Sequence, residues 1–340
     1  MTFTRLPRLA ATLGLAAVLA ACSKTAPPSV PDADSPPQPI KIRFKTDWFP
    51  QAEHGGFYQA MAKGYYKAAN LDVEIIPGGP GPTMPQLLLS GQTDLAMGRS
   101  DDVIVWSQQG LPFIIVGVYM ERDPQALLLH DEDPVKTFAD LNNRTIMVES
   151  SVHWLDYVRK KYHISINQIP LNFGIGSFMA DNRFIQQCFV TDEPFYVRKN
   201  GGVPRTLMLA DSGYNPYRII FGTKAFVDAH PEAVRRFIAA SLRGWDEFMT
   251  GDSEAAKASI AKRNDNMPSA LIEYSIQAMK DQHIIYGKPE AGERLGLMTK
   301  QRMLEQDQVL ADLKLIPELI PLENFVRFDL LPAELQPAAK

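Results

Sequence analysis

Residues 40–76 read IKIRFKTDWFPQAEHGGFYQAMAKGYYKAANLDVEII. Positions 40–45 alternate apolar and charged residues, which predicts a half-buried strand, and LDVEII at 71–76 repeats the pattern. Between them, HGGFYQAMAKGYYKAA places Phe57, Ala60, Met61 and Tyr65 on one face of a helix, with Gly64 a weak point near its end. The join between first strand and helix crowds an acid, a Trp, a Pro, a His, a Gly pair and a Tyr together. Two readings are open: a structural corner, or one wall of a small-molecule pocket.

The alternation continues. A short helix is predicted over 84–89, a strand over 93–97 and a helix over 101–109. The run 111–119 is almost wholly apolar, as in a strand buried on both faces. This order predicts an α/β fold with a mainly parallel sheet and right-handed crossovers. Further strands are expected over 126–130, 145–148, 169–173, 187–190, 205–210 and 218–222, with helices over 153–163 and 178–184. From Pro231 the chain turns helical, beginning with PEAVRRFIAASLRGWDEFM.

The 340 residues, 45% hydrophobic and 22% charged, suffice for one large domain or two lobes. A net charge of −4 with interspersed signs and no basic stripe argues against a nucleic-acid partner. Residues 1–22 carry Arg5 and Arg8, then an apolar run too short for a comfortable membrane span, which fits a secretory signal peptide. It ends in Leu19-Ala20-Ala21-Cys22, which resembles a bacterial lipobox; the resemblance implies that Cys22 is lipidated and becomes the mature N-terminus. Proline-rich residues 23–39 read as a semi-extended tether of about 45 Å. The expected product is an exported protein held to a membrane by its lipid. Cys188 is then the single mature cysteine, so no internal disulfide is expected, and it reads as a small buried hydrophobe.

Several stretches carry a family likeness: DWFPQAEHGGFYQAMAKGYYKAANLDVEII, SGQTDLAMG, TFADLNNRTIMVES, QQCFVTDEPFYV and HPEAVRRFIAASLRGW, in order across roughly residues 40–250. Together they resemble periplasmic substrate-binding proteins of the nitrate/sulfonate/taurine and thiamine-pyrimidine type. The resemblance implies two α/β lobes of the type II binding-protein architecture, joined by two hinge crossings. Lobe one would hold 40–130 and 218–340, and lobe two 131–217. It also implies a small-molecule ligand closed between the lobes and handed to an ABC transporter permease.

In open α/β sheets ligands sit beyond the carboxyl ends of strands. Candidate ligand-binding residues follow from those ends. Asp47 can accept from a ring N–H or cap a helix. Trp48 offers a stacking face or fills a core. His54 can cap the helix or donate to a ligand, and Tyr58 shares its face or packs inside. Arg99 can grip an anion or pair with Asp101 or Asp102. Tyr119 closes the fourth strand. Glu149 precedes two serines, Trp154 offers an opposing plate, and Glu193 suits an aminopyrimidine or other donor-rich ring. The Pro-Gly run at 77–82 is a poor anion cradle, because proline removes donors and no P-loop pattern is present.

No zinc or nucleophile motif is evident, and no cofactor is expected. One branch of the resembled family is enzymatic. It relies on a Lys and a His four residues apart after the third strand, with a Cys-rich iron site; here Gly98 and Asp102 stand there, and the cysteines are missing. The expectation is a binding protein, not an enzyme. Its ligand is expected to be an aromatic heterocycle such as a thiamine pyrimidine precursor or flavin-like compound. A small sulfonate or nitrate, or synthase chemistry on the same scaffold, are the alternatives.

Overall fold

A computed structural model describes residues 38–79, 83–150 and 152–337. The expected signal peptide, Cys22 and almost all of the expected tether lie outside the described residues.

Two five-stranded sheets share one plan. The first contains β1 (Ile40–Lys45), β2 (Leu71–Ile76), β3 (Leu95–Arg99), β4 (Phe113–Met120) and β10 (Arg218–Thr223), in the order β2-β1-β3-β10-β4. The second contains β5 (Gln125–His130), β6 (Arg144–Val148), β7 (Ile166–Pro170), β8 (Ile185–Phe189) and β9 (Pro204–Met208), in the order β7-β6-β8-β5-β9. In the first sheet β1 pairs parallel to β2 and β3, and β10 runs antiparallel between β3 and β4. In the second, β6 pairs parallel to β7 and β8, and β5 runs antiparallel between β8 and β9. Each sheet is therefore parallel apart from one reversed strand, the strand on which the chain enters or re-enters it.

This pairing corrects one expected boundary. The strand at 125–130 belongs to the second sheet, so the chain crosses between Met120 and Gln125 and not at residue 130. It returns between Met208 and Arg218. The expected strand at 169–173 ends at Pro170, which puts Phe173 on a loop.

Residues 47–56 form a structural corner that also borders a cleft. Gly55 and Gly56 start the helix Gly55–Ala62, which lies flat against the helix Pro231–Thr250. A Cβ on Gly56 would stand 2.1 Å from the Trp245 ring, and one on Gly244 2.2 Å from the Gly56 carbonyl oxygen. The paired glycines thus let two backbones meet around Trp245, while Asp47 and Trp48 are left for the cleft. Phe44, Phe57, Phe237, Trp245 and Phe248 fill the space behind this corner. Each contributes roughly 1.5–3 kcal/mol through burial.

The C-terminal segment completes the first sheet. β4 is an edge strand, and residues 325–327 lie along it: Ile115 N–H donates to the Phe325 carbonyl at 2.7 Å, and Arg327 N–H to the Ile115 carbonyl at 2.9 Å. An otherwise open edge is covered. The helix Ser269–Asp281 reaches the second sheet, where Ser275 donates to the Thr191 carbonyl at 2.7 Å and Tyr274 to that of Val190 at 3.1 Å.

Candidate ligand cleft

A cleft of about 570 Å³ opens between the facing ends of the two sheets. That volume lies in the range of small-molecule sites. Loops after β1, β2 and β3 form one wall, with Lys45, Asp47, Trp48, Gly78, Arg99 and Arg218. The other wall holds Gln125, Glu149, Phe173, Phe189, Asp192 and Glu193.

Trp48 is placed by the backbone. Thr46 Oγ1 donates to the Trp48 carbonyl at 2.9 Å, and Gly78 N–H reaches the same oxygen at 2.9 Å. Any side chain on Gly78 would collide with the backbone of Thr46–Trp48, its Cβ meeting it at 2.5 Å, so glycine is what lets the loop after β2 lie on the loop after β1. Across the cleft, Phe173 stacks on Trp48, with ring centroids 5.4 Å apart and planes at 27°. Phe173 is 62% exposed and holds φ of 59°, a left-handed conformation that bulky side chains rarely adopt. The Asn172 side chain supports that turn by accepting from Gly174 N–H at 3.0 Å.

The first wall is a closed charge network. Asp47 Oδ1 lies 2.9 Å from His54 Nε2, and its Oδ2 accepts from Arg218 Nη1 at 3.2 Å. Burial pushes the Asp47 carboxyl up, but the bond and charge of His54 with the Arg218 guanidinium outweigh it and hold the group at about 2. Arg218 Nε lies 3.1 Å from Asp123 Oδ2, and the guanidinium covers the Phe189 ring at 5.3 Å. Arg99 pairs with Asp101 and Asp102, each at 3.3 Å. His153 of the second wall closes on Asp102 at 3.4 Å, and Tyr214 donates to Asp101 at 2.7 Å.

The second wall carries acids without cations. Among the described residues no ion pair forms at Glu149, Asp192 or Glu193. Burial, with the charge of Glu53 opposite, pushes Asp192 up to about 7. Burial and the neighbouring Asp192 push Glu193 up to about 8, although Glu193 accepts from Phe189 N–H at 2.8 Å. Glu53 bonds the Thr191 hydroxyl across the cleft, and its own carboxyl is raised by burial.

The structure brings Asp47, Trp48, Arg99, Glu149 and Glu193 to the cleft. The remaining candidates lie behind it. His54 is fully buried and acts on the cleft only through Asp47. Tyr58 packs in the first core under Arg263. Tyr119 stacks on Trp245 at 5.8 Å, because β4 is covered on both faces. Trp154 points with Leu155 and Val158 into the second core, since these share the inner face of their helix. Arg218, Gln125 and Phe173 escaped the sequence reading. Arg218 and Gln125 open the two reversed strands, whose amino ends lie where their neighbours' carboxyl ends do; a search of carboxyl ends passes over them.

Asp101, Asp102 and His153 place three potential metal-ligand atoms within 4.8 Å of one another. Arg99 already pairs with both carboxylates there, and its positive charge at 3.3 Å weakens the attraction for a divalent cation. Cys188 lines the cleft, but burial and the charges of Glu193 and Asp192 push its thiol well above the usual range, opposite to an activated nucleophile.

Comparison with known proteins agrees with this architecture. The family described as NMT1/THI5 like matches residues 51–255. The chain belongs to that family. A riboflavin-binding protein of Chloroflexus aurantiacus is 23% identical over 269 residues, covering 73% of this chain and 76% of the relative. A formylaminopyrimidine-binding protein of Halalkalibacterium halodurans is 23% identical over 239 residues, covering 67% and 72%. Among solved structures, the alkanesulfonate-binding protein of Xanthomonas axonopodis pv. citri superposes with a TM-score of 0.64 at 14% identity, covering 86% of this chain and 99% of that one. The fold is that of periplasmic binding proteins.

Proposed function

We propose that this protein captures a flat heterocycle bearing N–H donors and presents it, unaltered, to an ABC importer. The observation that carries the reading is the Trp48–Phe173 stack across a cleft whose far side holds Asp192 and Glu193. The two plates touch each other as they stand, so a planar ring enters between them as the walls part to about 7 Å, and partly protonated carboxyls beside it can both accept from and donate to ring nitrogens. The names of the two relatives, one binding riboflavin and one formylaminopyrimidine, support the choice of ligand class. The two halves act as lobes, and the crossings at 121–124 and 209–217 act as hinges. The lipid on Cys22 holds the body at a membrane through the tether; no helix among the described residues is long and apolar enough to cross one.

Isothermal titration of the purified protein with riboflavin, formylaminopyrimidine and an alkanesulfonate tests this, with mass spectrometry of the recovered compound. Binding of either heterocycle, recovered intact, is the expected result. Binding of the sulfonate alone sinks the ligand class. Recovery of a converted product sinks the non-catalytic role, which a desulfurization enzyme of the same fold makes worth checking.

A further inference from the structure

Arg218 has hydrogen-bonding capacity left over: Nε and Nη2 are both buried without a hydrogen-bond partner, and of the two only Nε has a carboxylate beside it. The residue is 5% exposed and lines the cleft. Its Nη1 donates to Asp47, its Nε sits beside Asp123, and one face of the guanidinium is covered by Phe189. Nη2 is buried and has no hydrogen-bond partner. A guanidinium offers five N–H donors in a fixed fork, and a buried charged donor left unmade is costly.

The surroundings also select the partner's charge. Asp47 and Asp123 place two carboxylates around one guanidinium, and Asp47 stays ionised over the physiological range. A sulfonate or phosphate at Nη2 would add a third negative charge beside Asp47. A neutral carbonyl oxygen would accept from Nη2 without that repulsion.

We infer that Arg218 is a specificity-determining residue whose Nη2 donates to a neutral carbonyl oxygen of the bound heterocycle. This rests on the function proposed above and sharpens it. The ligand is then polarised end to end, with N–H donors toward Asp192 and Glu193 and a carbonyl toward the start of β10. Arg218 stands at the end of one crossing and forms an ion pair with Asp123 in the other. The carbonyl is therefore read at the point where the two halves join.

The test compares two neutral probes: formylaminopyrimidine, and the same aminopyrimidine carrying a hydroxymethyl group in place of the formylaminomethyl arm, which has no carbonyl. Titration calorimetry on the wild type, Arg218→Gln and Arg218→Lys gives the outcome. Lysine keeps the charge for Asp47 and Asp123 while removing the fork, so it guards against a variant that fails to fold. Both substitutions are expected to weaken the formyl compound about ten- to a hundred-fold and the hydroxymethyl compound less than about two-fold. Equal losses on both probes make Arg218 merely structural and overturn the inference, leaving the proposed function standing. Failure of the wild type to bind either probe overturns the inference, and failure with riboflavin as well overturns the proposed function.

Discussion

The two walls of the cleft are built on the same strand order but carry opposite electrostatics. On the first, Asp47, His54, Arg218 and Asp123 form one network, and Arg99 pairs with Asp101 and Asp102. On the second, Glu149, Asp192 and Glu193 face the same space with no ion-pair partner among the described residues. A paired wall is rigid and its charges are fixed. An unpaired wall titrates, and it gains most from a ligand that supplies donors. The difference suggests a division of labour: the first half holds geometry, and the second half gains partners when something binds.

The largest effect is expected from opening the paired wall. Asp123 is buried and sits against Arg218, so Asp123→Ala leaves that guanidinium with Asp47 alone. Removing one partner of a buried charged pair should cost about 3 kcal/mol of folding stability. Urea unfolding of wild type and variant measures it. A loss below about 1 kcal/mol would show that this wall is no stiffer than its counterpart.

The unpaired wall should respond to pH instead. Asp192 and Glu193 rise from 3.8 and 4.5 to about 7 and about 8 on folding. The folded protein therefore binds these protons more tightly than the unfolded chain. Their contribution is complete below about pH 4 and is lost as pH rises through about 8. Over that window the wild type should lose stability progressively, and Glu193→Gln should flatten the curve. Thermal melts at stepped pH read this directly. A curve of unchanged slope in the variant would mean that Glu193 is solvated or paired after all.

How much of this was visible beforehand follows from the physics of each part. The alternating strands and the α/β class were legible because a half-buried strand writes its period into the chain. Asp47 and Trp48 were legible because they follow such a strand. Trp154 and Tyr119 were misplaced because an aromatic residue at an element's end has the same composition whether it turns toward a cleft or into a core. Arg218 and Gln125 were invisible because strand direction is a tertiary property: nothing in RIIFGT says that it runs against its neighbours. Phe173 was hidden by a strand boundary shifted by three residues, which moved it from sheet to loop.

A smaller effect belongs to the plate that the first wall contributes. Trp48→Ala removes one face of the aromatic pair and should weaken a ring-shaped ligand about two- to ten-fold, while folding stability falls by about 1 kcal/mol with the lost stack on Phe173. Quenching of intrinsic fluorescence by riboflavin, compared in wild type and variant, gives the ratio. Unchanged affinity would remove Trp48 from the ligand's surroundings and leave the stack a contact between the two walls alone.

The smallest effect should come from Phe173, and its sign separates strain from function. At φ of 59° glycine is at ease where phenylalanine is not, so Phe173→Gly relieves backbone strain of roughly 1 kcal/mol. It also deletes the stack on Trp48, of similar size. The two nearly cancel, and the melting temperature should move by no more than a few degrees. Ligand affinity has no such compensation and should fall. A residue kept in a conformation that its own backbone disfavours, exposed to solvent and nearly neutral for stability, then has its reason in what it covers. If Phe173→Gly lowered the melting temperature sharply and left affinity intact, Phe173 would be a brace for the second wall, and that wall would be rigid like the first.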